Sequence, residues 1–217
     1  MVQRVYEAVQ SATLIDEVIV ATDDARIVDA VQSFGGKAVL TSENHPNGTS
    51  RIAEAVDPMD VDLVINIQGD EPFIKAEMVD ELVEVMRAQR DIYMATLCYQ
   101  LTDPATFTNE NVVKVVSDVR GYALYFSRSM IPFPRNAETQ KVYEHLGIYG
   151  YTKDFLKKYL ELPDTPLCKT ESLEQLKVIE NGYRIFVVES RHDYHALSID
   201  TLEDLEEARR IISGQNR

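Results

Sequence analysis

The segment Val61-Asp62-Leu63-Val64-Ile65-Asn66-Ile67, an almost unbroken apolar run closed by Gln68-Gly69-Asp70-Glu71-Pro72, limits the choice of fold more than any other in the chain. A short β-branched run that ends at a turn signal reads as a strand buried on both faces, and such strands belong to sheets covered by helices on either side. The flanking sequence supplies those helices. Val2, Val5, Tyr6 and Val9 recur at helical spacing, and Asp23-Asp24 can cap a helix over 25–34 that stops at Gly35-Gly36. Met78, Leu82, Val85 and Met86 form the apolar stripe of another helix over 75–89. Between them lie short strand candidates at 18–22 and 37–41. Helix, strand, helix, strand in this order is the rhythm of a doubly wound α/β fold with a mostly parallel sheet.

Beyond residue 92 the rhythm changes. Apolar segments at 93–99, 112–117, 122–127 and 146–151 succeed one another with few long helices between them, which predicts added strands, some antiparallel, in a mixed sheet. Helices return at about 152–160, 171–181 and 201–213, with a strand at 185–188. No Gly/Ser-rich linker, repeat or low-complexity tract interrupts the 217 residues, so a single domain over 1–217 is expected, with a strand-rich insertion at about 93–151.

Charge excludes several classes of partner. With 22 Lys+Arg against 36 Asp+Glu the formal net charge is −14, which repels a phosphate backbone and makes nucleic acid a poor partner. No stretch approaches the roughly 20 apolar residues of a membrane span, and Gln3, Arg4, Glu7 and Gln10 stand where a signal peptide would be apolar, so a cytoplasmic protein without membrane contact is expected. Cys98 and Cys168 lack C-x-x-C spacing and read as reduced packing residues.

Chemistry is expected first at Asp70. It comes directly after the most apolar strand, where open α/β sheets place their ligands, and a carboxylate there can hold Mg²⁺ together with substrate phosphates. A turn capped by Asp70 or Glu71 would explain the same residues equally well. Asp200 by itself is the N-cap of the last helix, with Glu203 completing a capping box, and becomes a metal ligand only in the company of Asp70. The segment 41–51, rich in hydroxyls, amides and turn formers, reads as a binding loop in which Gly48 and Thr49 offer N–H groups and Arg51 a planar fork of donors. The plainer account makes Thr49 a helix cap and leaves His45 solvated; binding is favoured for Gly48, Thr49 and Arg51, solvation for His45.

Period-two alternation in 145–151 puts His145, Gly147, Tyr149 and Tyr151 on one strand face, which by periodicity alone is a half-buried strand with aromatic side chains. Glu174 and Gln175 fall in the expected helix 171–181, and Arg128 comes after Tyr125-Phe126-Ser127. Exposed polar roles are the default for these three. His192 and His195 have no third His or Cys to complete a zinc site.

Taken in order, the segments Val-Ala-Thr-Asp-Asp at 20–24, Gly-Gly-Lys at 35–37 and the 41–51 loop, with Asn-Ile-Gln-Gly-Asp-Glu-Pro at 66–72 and Met-Ala-Thr-Leu at 94–97, resemble one family. The likeness continues through Val-Lys-Val-Val at 113–116, Tyr-Ala-Leu-Tyr-Phe-Ser-Arg at 122–128, His-Leu-Gly-Ile-Tyr-Gly-Tyr at 145–151, Glu-Ser-Leu-Glu-Gln-Leu at 171–176 and Asp-Thr-Leu-Glu-Asp-Leu at 200–205. The family is that of the cytidylyltransferases that make CMP-3-deoxy-manno-octulosonate (CMP-KDO synthetases) for bacterial lipopolysaccharide.

The resemblance implies a fold of the nucleotide-diphospho-sugar transferase type and a Mg²⁺-dependent reaction in which KDO attacks the α-phosphate of CTP, giving CMP-KDO and pyrophosphate. It implies Asp70 and Asp200 as catalytic metal ligands, and Gly48, Thr49 and Arg51 at the nucleotide. Gln68, Arg128, His145, Tyr149, Glu174 and Gln175 would line the sugar pocket. A homodimer joined through the strand-rich middle is also implied. Related sugar acids, sialic acid or the 8-amino analogue of KDO, are rival substrates, against which Gln68, His145 and Glu174 favour KDO; a non-catalytic nucleotide-binding subunit is a rival of another class.

The family's opening strand and basic phosphate-binding loop have no counterpart here, since residues 1–7 resemble the part of the family pattern that lies just beyond that loop. An N-terminally truncated chain, with weakened CTP binding, is therefore expected. Asn47, Ser50 and Leu202 also depart from the family's usual residues.

Overall fold

A computed structural model describes residues 1–192, 194, 197, 199 and 201–214. The chain is divided between two compact units, one formed by Met1–Asp60, Asn66–Asp80 and Tyr194–Arg217, the other by Val61–Ile65 and Glu81–Asp193.

In the first unit, helix α1 (Val2–Gln10) buries Val5, Tyr6 and Val9, the stripe that its sequence spacing predicts. Strand β1 (Val20–Thr22) pairs in parallel with β2 (Ala38–Leu40), and between them runs α2 (Ala25–Ser33). The expected punctuation is in place: the Asp24 side chain accepts from the Arg26 N–H at the start of α2, and Gly35, with φ +81°, turns the chain after its end. Helix α3 (Gly48–Val56) begins earlier than expected, so Gly48, Thr49 and Arg51 form its first turn rather than a loop. Its cap is Asn47, whose side chain accepts from the Ser50 N–H at 2.9 Å, and not Thr49. The turn before it is as polar as predicted, but the helical N–H groups needed an acceptor, and Asn47 supplied one a residue before the glycine.

The second unit is built on a six-stranded sheet. Its path is β6 (Ala123–Ser127), β5 (Lys114–Ser117), β7 (Tyr143–Thr152), β4 (Met94–Gln100), β8 (Phe186–Glu189), and β3 (Leu63–Asn66) pairs with β7. β4 and β8 are parallel, whereas β4–β7, β5–β7 and β5–β6 are antiparallel, so the sheet is mixed, as the change of rhythm after residue 92 predicts. β3 is less buried than its apolar run led one to expect: Val64 and Asn66 are buried, Leu63 and Ile65 only in part. The β7 strand is close-packed at Gly150, where a Cβ would lie 2.4 Å from Met86 Sδ and 3.3 Å from both Ile65 Cδ1 and Leu82 Cγ, all within this unit.

Helix α4 (Ala76–Ala88) spans the point where the chain passes from one unit to the other, and α5 (Lys153–Glu161) comes after β7. The single helix expected over 171–181 is two short ones, α6 (Pro166–Glu171) and α7 (Leu176–Glu180). Ser172 ends α6 in the left-handed conformation, φ +53°, so Glu174 and Gln175 lie in the turn between the helices and not on an exposed helical face. The last helix, α8 (Leu202–Ile212), carries a capping box, but its members are Thr201 and Asp204 rather than Asp200 and Glu203. A Thr one residue closer to the helix, with a carboxylate three positions on, satisfies the same orphan N–H groups.

Candidate active site

The turn after β3 places Asp70. The Glu71 N–H reaches Gln68 O at 3.4 Å, which closes Gln68–Glu71 into a turn with Asp70 near its tip. The Asp70 carbonyl accepts a 3.1 Å hydrogen bond from the Ile199 N–H, so two segments far apart in sequence are tied together at the candidate carboxylate. Tyr194 Oη donates to Glu71 beside it. Asp200 lies outside the described residues. The structural role that its sequence position suggests, capping the last helix, belongs to Thr201 instead.

Gly48 and Gln68 come together in the same unit. A Cβ at position 48 would stand 3.3 Å from Gln68 Nε2, so a side chain there would press on the amide, which would have to give by a few tenths of an ångström. Asn47 takes up the Ser50 N–H, which leaves the amides of Gly48 and Thr49, at the positive end of α3, without an intrahelical acceptor. Arg51 is already committed in part: Nη1 donates to Thr41 Oγ1 at 2.7 Å and to Ser42 O at 3.3 Å, and Nη2 meets Asp23 Oδ2 at 2.8 Å. Its remaining donors are Nε–H and one Nη2–H. His45, expected to be solvated, is instead paired on both ring nitrogens, with Ser50 Oγ at 3.2 Å and with the Glu54 carboxylate. Its side chain is mostly covered, and the contact with Glu54 stabilises that carboxylate enough to lower its pKa.

The other candidates all fall in the second unit, where rings link them in a row. His145 meets Phe126 edge-on, with centroids 4.9 Å apart, and lies 5.4 Å from Tyr149; Tyr149, Tyr151 and Tyr159 succeed one another at 6.0 and 5.9 Å. Tyr159 Oη then donates to Glu174 Oε2 at 3.1 Å. Burial pulls the His145 pKa down to about 3, which keeps the ring neutral, and pushes the Tyr149 phenol well above its usual value. Gln175, only 5% exposed, has a buried Nε2 without a hydrogen-bond partner among the described residues, a donor in need of an acceptor. Gln175 is therefore not the exposed polar group of the default reading, whereas Glu174 is exposed as expected and is tied to the row only through Tyr159.

Arg128 is held as a rigid fork. Nε donates to Glu171 O at 2.9 Å and Nη1 to Glu110 O at 3.1 Å, while its backbone N–H reaches Glu171 Oε2 at 3.0 Å. The Glu171 carboxylate also accepts from Ser127 Oγ at 2.7 Å and Tyr125 Oη at 3.3 Å. Burial would raise its pKa, but these donors outweigh it and the net shift is downward. Lys114, fully buried, donates to Asn109 O at 2.8 Å, Val112 O at 2.6 Å and the Arg128 carbonyl. Desolvation lowers its pKa.

Sequence reasoning therefore misses Lys114 and Glu171 as hubs around Arg128, although both lie in segments that carry the family resemblance. The signal was a cation within a strand, Val-Lys-Val-Val, a pattern that calls for polar partners. Lys177 is missed as well; it is buried and its Nζ stands 3.9 Å over the Tyr159 ring.

Both cysteines are buried and free, as expected, and burial pushes the Cys98 thiol up to about 12, far from a nucleophile. His192 Nε2 lies 3.7 Å from Glu81 Oε1; His195 lies outside the described residues. Among the described residues no three His, Cys, Asp or Glu side chains are grouped to hold a metal ion, and no helix is long and apolar enough to cross a membrane.

Comparison with known proteins sets this geometry among relatives. The family model described as cytidylyltransferase matches residues 1–185. A 3-deoxy-manno-octulosonate cytidylyltransferase of Fusobacterium nucleatum is 48% identical over 217 residues, which cover 100% of this chain and 87% of the relative. Another of the same name, from Thermodesulfovibrio yellowstonii, is 47% identical and covers 98% and 88%. Among solved structures, a CMP:2-keto-3-deoxy-manno-octonic acid synthetase complexed with CTP superposes with a TM-score of 0.94 at 40% identity, covering 99% of this chain and 88% of that one.

Proposed function

The chain belongs to the cytidylyltransferase family, among the 3-deoxy-manno-octulosonate cytidylyltransferases, and on that premise we propose how its own residues serve the reaction. The enzyme transfers CMP from CTP to 3-deoxy-manno-octulosonate, giving CMP-KDO and pyrophosphate, a step toward lipopolysaccharide. The anomeric hydroxyl oxygen of the sugar bonds to the α-phosphorus as the bond to pyrophosphate breaks. No enzyme nucleophile is called for, so the protein's contribution is positioning and charge stabilisation.

The first unit serves the nucleotide. The amides of Gly48 and Thr49 donate to it from the start of α3, and Arg51 braces the preceding turn through Thr41, Ser42 and Asp23 while its remaining donors face the ligand. The second unit serves the sugar acid. Arg128, with Nε and one side of Nη1 fixed by backbone carbonyls, offers its other donors to the carboxylate, and Gln175, Glu174, Tyr149 and His145 meet hydroxyls. Gln68, which the family resemblance puts at the sugar, lies against Gly48 at the start of α3.

Asp70 and Asp200 would hold Mg²⁺, for which hard carboxylate oxygens completed by phosphates are a fitting donor set. When bound, the ion would supply neutralisation of the charge that develops at the phosphates. The observation that supports this pair is the bond from Ile199 N–H to Asp70 O, one residue before Asp200, together with a last helix that Thr201 caps without it. The same reading makes the protein cytoplasmic and a homodimer, the latter supported by Val119, Leu124 and Phe133, large apolar side chains exposed in the strand-rich middle.

The test is pyrophosphate release from CTP with 3-deoxy-manno-octulosonate, its 8-amino analogue and sialic acid in turn, at graded Mg²⁺. Preference for the first and a loss of at least about 100-fold in kcat for Asp70→Asn and for Asp200→Asn are expected. CTP binding without Mg²⁺-dependent turnover, and left unchanged by Asp70→Ala, would favour a non-catalytic nucleotide-binding role; full turnover in Asp70→Ala would remove Asp70 from the metal site.

A further inference from the structure

Strand β7 carries two residues more than its partner at one place. Thr96 of β4 pairs with Tyr149 and Leu97 with Leu146, so Gly147 and Ile148 have no opposite number. Two extra residues, unlike one, preserve the alternation of faces, which is why His145 and Tyr149 share a side as their spacing predicts. The irregularity interrupts the regular β4–β7 ladder beside the Leu146 and Ile148 carbonyls.

Thr96 answers them. It is fully buried, and its Oγ1 lies 3.0 Å from Leu146 O, 2.8 Å from Ile148 O and 3.1 Å from His145 Nε2. A hydroxyl has one proton and two lone pairs, whereas a carbonyl can only accept. The Thr96 proton is therefore drawn to the carbonyls, and what faces His145 is a lone pair. The contact with Nε2 then requires the ring proton on Nε2. A neutral imidazole carries only one such proton, so Nδ1 is a bare acceptor, and it has no hydrogen-bond partner among the described residues. Burial keeps the ring neutral, and its other neighbours, the Phe126 and Tyr149 rings, bring no charge to it.

We propose that Thr96 is a positioning residue that fixes His145 in its Nε2-protonated tautomer and so presents Nδ1 as an acceptor for one hydroxyl of the sugar acid. The ligand part rests on the placing of His145 in the sugar site; the tautomer part does not. An acceptor at this position selects a hydroxyl and rejects a carboxylate. The sugar acid is thereby oriented with its carboxylate away from His145, and an analogue lacking that hydroxyl forfeits the hydrogen bond to Nδ1.

The experiment is a long-range ¹H–¹⁵N correlation spectrum of the full chain labelled at its four histidines, His145 being assigned by its absence from a His145→Gln sample. The wild-type ring is expected to show protonated Nε2 and unprotonated Nδ1. Thr96→Val, nearly isosteric, should move the signals toward the other tautomer, and Thr96→Ser, which keeps the hydroxyl, should restore them. In pyrophosphate-release kinetics Thr96→Val should raise KM for 3-deoxy-manno-octulosonate about tenfold at unchanged KM for CTP, with Thr96→Ser near wild type. A wild-type ring protonated on Nδ1 overturns the proposal without any variant, and so does an unchanged tautomer in folded Thr96→Val. A tautomer as expected whose Nδ1 signal ignores added sugar acid upholds Thr96's control of the ring and removes His145 from the sugar site.

Discussion

Acid titration of stability gives a direct reading of how deeply His145 is enclosed. Its folded pKa of about 3 lies below the ordinary 6.5, so the unfolded chain binds a proton that the native ring refuses. Linkage sets the sign: this contribution is fully present above pH 6.5 and is lost as pH falls toward the folded value. From those two values the loss between pH 8 and pH 5 is about 2 kcal/mol, since each decade of proton concentration is worth roughly 1.4 kcal/mol once the unfolded histidine titrates. Other groups titrate in the same range, so the wild type is to be compared with His145→Gln, in which their contributions are shared. Urea unfolding monitored by far-ultraviolet circular dichroism at pH 8, 7, 6 and 5 should give a wild-type stability that falls about 2 kcal/mol more steeply than the variant's. Parallel curves would mean that the native ring takes up the proton freely, and the argument from burial, including the neutral ring on which the tautomer assignment depends, would fail.

The residues around the other candidates give further expected outcomes. Lys114→Met should raise KM for 3-deoxy-manno-octulosonate more than KM for CTP, because the Arg128 carbonyl loses its anchor, and should cost about 1–3 kcal/mol in urea unfolding for each carbonyl left buried without a donor. Asn47→Ala should cost about 1 kcal/mol by loss of the α3 cap and raise KM for CTP, measured by the same two assays. Gly150→Ala, whose new methyl would meet Met86 Sδ at 2.4 Å, should destabilise by about 1–3 kcal/mol in thermal unfolding with little change in KM for either substrate.

Much of the fold could be read from periodicity because its determinants are local. The Val2, Val5, Tyr6, Val9 stripe, the Asp24 cap and the Gly35 stop need no knowledge of distant residues, and each stands where expected. The failures share one cause, competition between neighbouring residues for the same orphan N–H groups. Asn47 rather than Thr49 caps α3, and Thr201 with Asp204 rather than Asp200 with Glu203 caps α8. A capping residue is defined by where the helix begins, and a shift of one or two residues in that boundary passes the role to a neighbour. The break between α6 and α7 is of another kind. Nothing in the pattern Glu171-Ser172-Leu173-Glu174 announces a left-handed serine, but Glu171 is drawn to Tyr125, Ser127 and Arg128, and it is where α6 ends.

The site was legible to the extent that its residues lie in recognisable segments, and illegible where one side chain works through another. His145, Tyr149, Glu174 and Gln175 each have a bland explanation when judged singly, and only burial and contact remove it. A histidine on a strand is ordinary, whereas a buried one whose proton is dictated by a threonine that is itself occupied with two bulge carbonyls is not. Lys114 and Glu171 carry the same lesson. Lysine within an apolar strand looks like an error of patterning until three carbonyls, one of them that of Arg128, are found around its ammonium group. Such hubs satisfy backbone groups that a loop or bulge would otherwise leave bare, so the sequence position of the hub is set by the irregularity it repairs. Irregularities are what periodicity cannot foresee. The residues that hold a binding site in shape are therefore the ones that a strand or helix pattern flags as misfits, and at Thr96, Lys114 and Glu171 the misfit is the more informative signal.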